Sequence, residues 1–153
     1  MRFSYMVFTV ASAVVVAALA SPPAISPHVS HFPSGDVHAA FAKGTPLLEE
    51  GGYKIHASRR EAPGQAEVHV RDTDIIYVLE GAATFVTGGT VLDGRTTALD
   101  EIRGAGIAGG ETRRIVPGDV LVVPNGVPHW FREVSAPLLY YVVKVSAPAE
   151  ASR

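Results

Sequence analysis

The sequence predicts an all-β domain of the sandwich or jelly-roll class, preceded by one short helix. Apolar, β-branched and aromatic residues come in runs of four to eight, a length typical of strands rather than helices. Turn signals separate most of these runs, and the 153 residues include 15 Gly and 11 Pro. No long helical pattern lies between the runs, which favours a sandwich or jelly roll over a βαβ fold.

The first predicted element is the helix. Residues 21–33 are rich in Pro, Ser and His and lack apolar periodicity, so we expect an extended linker there. Ser34-Gly35-Asp36 then precedes a run from Val37 to Lys43, and Gly44 follows it. Polar residues before the run and a glycine after it are typical of a short capped helix, so residues 34–50 are interpreted as helix and lead-in.

Eight strands are predicted in a domain that covers residues 51–147, with residues 148–153 as a tail. The intervening segment from Gly88 to Gly110 is interpreted as a variable loop, in which Glu101 to Arg103 forms a short strand. Two of the eight segments are apolar on both faces, which predicts burial or a subunit interface. In order, the strands are Tyr53–Arg60, Ala66–Val70, Ile75–Leu79, Ala83–Thr87, Thr112–Val116, Val120–Val123, His129–Val134 and Leu138–Val145, the third and the last being the apolar pair.

The first twenty residues have the pattern of an export signal. Arg2 is followed by an apolar core from Val7 to Ala17 and by the small-residue site Ala18-Leu19-Ala20. The apolar run is short for a membrane span, and a retained anchor is the alternative interpretation. We expect a periplasmic or secreted protein with no stable membrane insertion after the signal is removed. The chain has no cysteine, which excludes a disulfide framework and thiol chemistry.

Charge and motifs exclude several classes of function. The net charge is −2, and basic residues cluster only as Arg59-Arg60 and Arg113-Arg114, so nucleic acid is not an expected partner. The segment from Gly104 to Gly109 matches the GxGxxG pattern, but no helical pattern follows it to bind a pyrophosphate. There is also no GxSxG sequence for a serine nucleophile.

The most informative stretch runs from Gly118 to His129. A glycine, a four-residue apolar strand and a turn containing Pro124 and Gly126 lead to His129, an arrangement that fixes the direction of the imidazole. Upstream, Glu67 and His69 are two residues apart, so in a strand their side chains point to the same face. If that face meets His129, the imidazoles and carboxylates form one cluster of metal donors.

These residues resemble the two motifs of the cupin superfamily, over roughly Tyr53 to Val145. The second motif matches at Gly118, Pro124, Gly126 and His129, with Glu133 where the family usually has Asn. In the first motif, His69, Asp74 and Gly81 occupy the positions of the second histidine, the glutamate and the closing glycine, while Glu67 occupies that of the first histidine. The resemblance implies a cupin-type jelly-roll β-barrel, a double-stranded β-helix, with a metal site.

The resemblance implies that Glu67, His69, Asp74 and His129 are the metal ligands. Two imidazoles with one or two carboxylates make a hard donor set, which favours Mn or Fe(II) over Zn or Ni. Three alternatives stay open: a buried pair of hydrogen-bonded histidines, Glu67 as the partner of an arginine on a neighbouring strand, and Asp74 acting through water.

For function, three hypotheses remain. The first is a metal-dependent oxygenase or lyase/isomerase on an exported small molecule, in which Glu67, Tyr77 or Tyr141 transfers a proton. The others are a non-catalytic cupin that binds a metal or small ligand, and a metal-free structural cupin. Trp130 or Phe131 is expected to supply an aromatic wall. A homodimer is also expected, with Leu138–Val145 as its contact strand.

Overall fold

The computed structural model describes residues 28–148, so the predicted export signal, most of the linker and the end of the tail lie outside the described residues. Within that range the structure has one helix and eleven strands, which confirms the predicted all-β architecture with a short N-terminal helix. The elements are α1 (Ser34–Lys43), β1 (Pro46–Glu50), β2 (Tyr53–Arg60), β3 (Ala66–His69), β4 (Asp72–Thr87), β5 (Thr90–Leu92), β6 (Arg95–Ala98), β7 (Glu101–Gly104), β8 (Gly106–Ala108), β9 (Glu111–Ile115), β10 (Val120–Val123) and β11 (His129–Ser146).

Two long strands, β4 and β11, organise the fold. They pair antiparallel along almost their whole length, and each replaces two strands of the sequence prediction. β4 continues through Gly81, whose φ of 79° bends the strand without ending it. A side chain at this position would put its Cβ 2.3 Å from the Pro137 carbonyl oxygen of β11. In β11 the pairing register shifts between Ser135 and Leu139, so the strand bends there and then continues.

The other strands extend the sheet from this pair. The strand order of the main sheet is β1-β2-β11-β3-β7-β6, and β4 pairs with β9, β10 and β11. The segment expected to be a variable loop contains β5 and β8, which form a small two-stranded sheet, and the hairpin of β6 and β7, which joins β3. Of these four, only β7 was predicted as a short strand; each has three or four residues, too few for a sustained period-two pattern.

Alternation along the strands builds the core. The inward residues Ile76, Val78, Phe85 and Leu138 are at most 1% exposed and belong to one cluster. A second, smaller cluster joins α1 to β2 through Phe41 and Ala57 and their neighbours. Helix α1 ends at Gly44, which adopts the left-handed conformation with φ 67°.

The two segments predicted to be apolar on both faces differ in their surroundings. In β4, Ile76 and Val78 are buried, while Ile75, Tyr77 and Leu79 point outward and are more than a third exposed. The Leu138–Val145 segment lies between β2 and β4, with both of its edges paired. No backbone edge is therefore open there, so a dimer contact through this segment would use its side chains and not its backbone. Among the described residues, no helix has the length and apolarity needed to span a membrane.

Candidate metal centre

Strand register brings the site together. Glu67 of β3 lies directly opposite His129 of β11 on one side and opposite Arg103 of β7 on the other. In the same strand, His69 lies opposite Glu101. Because residues two apart in a strand share a face, Glu67 and His69 point together toward His129.

The turn before β11 positions His129. Gly126, with φ 78°, donates its backbone N–H to the carbonyl of His69 at 2.8 Å and so ties the turn to β3. The Nδ1 atom of His129 lies 3.3 Å from the Val127 carbonyl. This contact favours a proton on Nδ1 and leaves Nε2 directed at the carboxylates.

Four buried side chains lie close together. His69 Nε2 lies 3.5 Å from Glu67 Oε2 and 3.4 Å from Asp74 Oδ2. His129 Nε2 lies 3.9 Å from each of the same two oxygens. All four residues are at most 7% exposed. Donor atoms bound to one ion at about 2.1 Å are themselves roughly 3 to 4 Å apart, which these separations match.

One buried nitrogen in this cluster makes no hydrogen bond within the described structure. His69 Nδ1 lies 2.7 Å from Glu101 Oε2, whereas His69 Nε2 is buried and makes no hydrogen bond within the described structure. An imidazole that donates from Nδ1 to a carboxylate presents a lone pair at Nε2, which is the usual state of a metal-bound histidine. Glu67, His69 and His129, whose donor atoms all lie within 4.8 Å of one another, could therefore hold a metal ion.

Glu67 divides its two oxygens between different partners. Oε1 accepts from Arg60 Nη2 at 3.1 Å and from Arg103 Nη1 at 2.5 Å. Oε2 faces the two histidines. The two interpretations of Glu67, as a ligand and as an arginine partner, are thus compatible because each uses a different oxygen. Arg59, the neighbour of Arg60 in β2, pairs with Glu61 instead.

Asp74 is held by a lysine. It lies opposite Lys144 in the pairing of β4 with β11, and Lys144 Nζ donates to both of its oxygens at 2.8 and 2.9 Å. The Asp74 oxygen nearest the histidines is therefore already engaged. Such an aspartate can complete a metal site directly or orient what binds there.

The cluster forms one end of a cavity of about 670 Å³. Its walls combine the four side chains of the cluster with basic residues and with apolar residues of the core, and it has the size of a small-molecule site. Phe131 faces this cavity, and Trp130 instead donates from Nε1 to the Gly64 carbonyl at 2.7 Å. Phe131 is thus the aromatic wall.

The comparison with known families agrees with this geometry. Residues 62–152 match the family model described as Cupin. The chain belongs to the cupin family. No curated protein matches it in sequence.

Solved structures of low sequence identity are similar to this cupin, and the first of them shares its fold. The crystal structure of BH2720 from Bacillus halodurans has a TM-score of 0.54 at 13% identity and covers 86% of this chain and 89% of its own. A cupin protein from Bacteroides fragilis has a TM-score of 0.47 at 15% identity, covering 72% of this chain and 81% of its own. A variant of Streptomyces PAC13 with uridine has a TM-score of 0.45 at 15% identity, covering 68% of this chain and 67% of its own. The predicted jelly-roll class of fold is confirmed.

Burial and neighbouring charged groups shift the pKa values of the candidate ligands in opposite directions. Burial raises the pKa of Glu67, but Arg103 and Arg60 outweigh it, so the net pKa is lowered. Burial likewise opposes ionisation of Asp74, yet His69 and Lys144 bring its pKa below the usual value. Burial lowers the pKa of His129, which favours the neutral ring that a metal requires. The pKa of His69 is raised, because contacts with Asp74 and Glu101 outweigh its burial.

Two predicted catalytic residues lie elsewhere. Tyr77 is 44% exposed on the outer face of β4, and Tyr141 packs edge-on against Phe41 of α1 at 4.8 Å between ring centroids. Neither lines the cavity, so the expectation that one of them turns inward is corrected. The inward tyrosine is Tyr140, which is 6% exposed and accepts a hydrogen bond from Arg60 Nε at 2.9 Å.

Sequence reasoning missed four residues that contact the site. Glu101 and Arg103 lie on β7, the short strand that was predicted inside the variable loop but given no part in the site, and Lys144 and Tyr140 lie on β11. The alternation Glu101-Ile102-Arg103 was the available signal, since it puts two charges on one face of a strand. No signal in the sequence pairs Lys144 with Asp74, because that contact depends on register between distant strands.

Proposed function

We propose that this cupin is a metal-dependent enzyme acting on a small molecule outside the cytoplasm, with Glu67, His69 and His129 as metal ligands and Asp74 as a fourth. The observation that carries the proposal is the buried Nε2 of His69, which makes no hydrogen bond yet lies 3.4 and 3.5 Å from two carboxylate oxygens beside His129. A purely structural histidine pair would satisfy this atom with a hydrogen bond. Its position at the end of a 670 Å³ cavity leaves room for a ligand.

The donor set favours Mn or Fe(II), with Zn or Ni as further possibilities. Two imidazoles and one or two carboxylates make a harder site than one built from histidines alone. When bound, a divalent ion supplies Lewis-acid polarisation of a substrate oxygen. The lowered pKa of Glu67 makes it a weak base, which supports ligation rather than proton abstraction as its part.

Tyr140 is the proposed proton donor in place of Tyr77 and Tyr141. Arg60 donates to its hydroxyl oxygen, so the phenolic proton is available to a ligand in the cavity. Burial raises the pKa of Tyr140, which keeps the phenol protonated at neutral pH. A protonated donor beside a metal site suits elimination or isomerisation, so a lyase or isomerase is favoured over an oxygenase.

Metal content is the first test. The natively exported protein should carry near-stoichiometric Mn, Fe, Zn or Ni by elemental mass spectrometry, and His69→Ala with His129→Ala should remove it. His56→Ala is the matched control, because His56 lines the same cavity but is not among the proposed ligands. Loss of metal in the control as well would contradict the assigned ligands. Protein that never retains metal would support a metal-free structural cupin.

Turnover is tested next, on the metal-loaded protein. Tyr140→Phe should reduce kcat strongly and leave metal content unchanged, while Tyr141→Phe should leave both unchanged. A ligand that binds tightly and is released unaltered would support the non-catalytic binding cupin instead.

Two further parts of the proposal concern location and assembly. Export follows from the N-terminal pattern of residues 1–20, and the mature N-terminus after expression with and without export tests it. A homodimer is supported by outward apolar side chains on β4 and β10, including Tyr77, Val120 and Val122, which are 44%, 62% and 61% exposed. A monomer in light-scattering measurements at micromolar concentration would contradict the dimer.

A further inference from the structure

We infer that the cavity takes a small organic dianion, a molecule with two carboxylate groups on a short carbon skeleton. This inference rests on the proposed metal site and names the class of ligand that the site would bind. It follows from a count of charge in the cavity wall and from the pairing of every charged side chain there.

The cavity wall is electrically balanced without a metal. Counting its histidines as neutral, three carboxylates face three basic groups. These six charged residues are Glu67, Asp74, Glu101, Arg60, Arg103 and Lys144.

Each carboxylate is already neutralised by a partner. Glu67 Oε1 is shared by Arg60 and Arg103 at 3.1 and 2.5 Å. Arg103 also reaches Glu101 Oε1 through Nη2 at 2.5 Å. Lys144 spans both oxygens of Asp74. The carboxylates that would face a metal therefore bring almost no net negative charge with them.

A divalent ion at this site would leave about two positive charges uncompensated. The four residues around the ion are at most 7% exposed, so water screens that charge poorly. A buried charge without a counter-charge is costly, and an anionic ligand removes that cost. A neutral ligand such as an amide or an unmodified sugar does not.

An apolar part of the cavity wall, next to the charged cluster, favours an organic ligand over an inorganic anion. Ile76 and Val142 line it with Phe131, and they are 1%, 5% and 4% exposed. Their side chains offer only dispersion and hydrophobic contact, which a carbon skeleton can use and a phosphate ion cannot.

Isothermal titration with malonate, malonamide and inorganic phosphate tests the inference, after metal content has been measured on the same Mn-loaded sample. Malonate should bind at least about tenfold more tightly than malonamide, which has the same skeleton without charge. Lys144→Gln should weaken malonate binding about tenfold by removing one positive charge from the cavity. Lys54→Gln, which removes the same charge from the Lys54–Asp72 pair outside this cavity, should change malonate binding by less than about twofold.

The outcomes separate this inference from the proposed function. Malonamide binding as tightly as malonate, or phosphate binding where malonate does not, would overturn the inference while the measured metal still supported the metal site. Equal effects of Lys144→Gln and Lys54→Gln would also overturn it, because a general charge effect would explain both. A protein without metal would overturn both proposals, since the cavity alone is neutral.

Discussion

Removing the Glu101 carboxylate should weaken metal binding, although Glu101 is not itself among the proposed ligands. Its Oε2 lies 2.7 Å from His69 Nδ1, and its Oε1 pairs with Arg103. These contacts hold the His69 ring with Nε2 toward the other donors. Without them, the ring can rotate or adopt the tautomer that carries a proton on Nε2, and either change costs metal affinity.

The size of the effect can be worked out in two ways. Hydrogen-bond partners of metal-bound histidines typically contribute 10- to 100-fold in affinity, which corresponds to about 1.4–2.8 kcal/mol. A hydrogen bond to a charged group contributes about 1.5–3 kcal/mol in its own right. The two ranges overlap, so we expect Glu101→Ala to bind Mn(II) about 10- to 100-fold more weakly.

The assay is a competition titration of Mn(II) against a chelator, with apo-protein stability followed by urea unfolding. Glu101→Gln keeps an acceptor oxygen and should lose less affinity than Glu101→Ala. Glu61→Ala is the control, since Glu61 forms an exposed ion pair with Arg59 and should bind metal like the wild type. Wild-type affinity in Glu101→Ala would refute the reasoning. So would equal losses in both Glu101 variants.

Three further predictions concern stability. Phe85→Ala should lower the free energy of unfolding by about 3–5 kcal/mol, because Phe85 is fully buried in the core; urea denaturation measures it. Gly81→Ala should lower it by about 1–3 kcal/mol from backbone strain alone, with a further cost from the contact with Pro137; the melting temperature reports both. Burial raises the pKa of Asp72, but hydrogen bonds from Ser146 and Lys54 outweigh it, so the net pKa is lowered. Asp72 therefore stabilises the fold fully above its unfolded pKa of about 3.9, and this stabilisation is lost as pH falls through the lower folded pKa. The wild type should therefore exceed Asp72→Asn in stability at pH 7, with the gap closing below about pH 4; a constant gap would contradict this.

Strand positions were predictable where the hydrophobic pattern and the turns agree. The bounds of β2 and β10 match the prediction, because a turn residue lies close to each end of both segments. At the bends inside β4 and β11, by contrast, the sequence predicted the end of one strand and the start of another. Gly81 and Pro137 are turn residues in most contexts, and only the pairing of the two strands shows that the chain continues through them.

The cluster around His69 was predictable because period two is a local rule. It puts Glu67 and His69 on one face without knowledge of any other strand. The tyrosines were assigned wrongly because their direction depends on register. Tyr140 and Tyr141 are neighbours on opposite faces of β11. To choose between them, one must know which face of the strand turns toward the cavity, and this cannot be determined from the sequence.

The glutamate at position 67 and the two arginines beside it are best understood together. In the related motif a histidine, a neutral ligand, occupies this position, and a bare carboxylate there would add a negative charge to a buried site. Arg60 and Arg103 bind the oxygen of Glu67 that faces away from His69 and His129. They cancel its charge while leaving the other oxygen available as a hard donor. With a divalent ion bound, the site would thus have an oxygen ligand suited to Mn or Fe(II) while the positive charge of the ion stayed uncompensated, and that remaining charge is what an anionic ligand would meet.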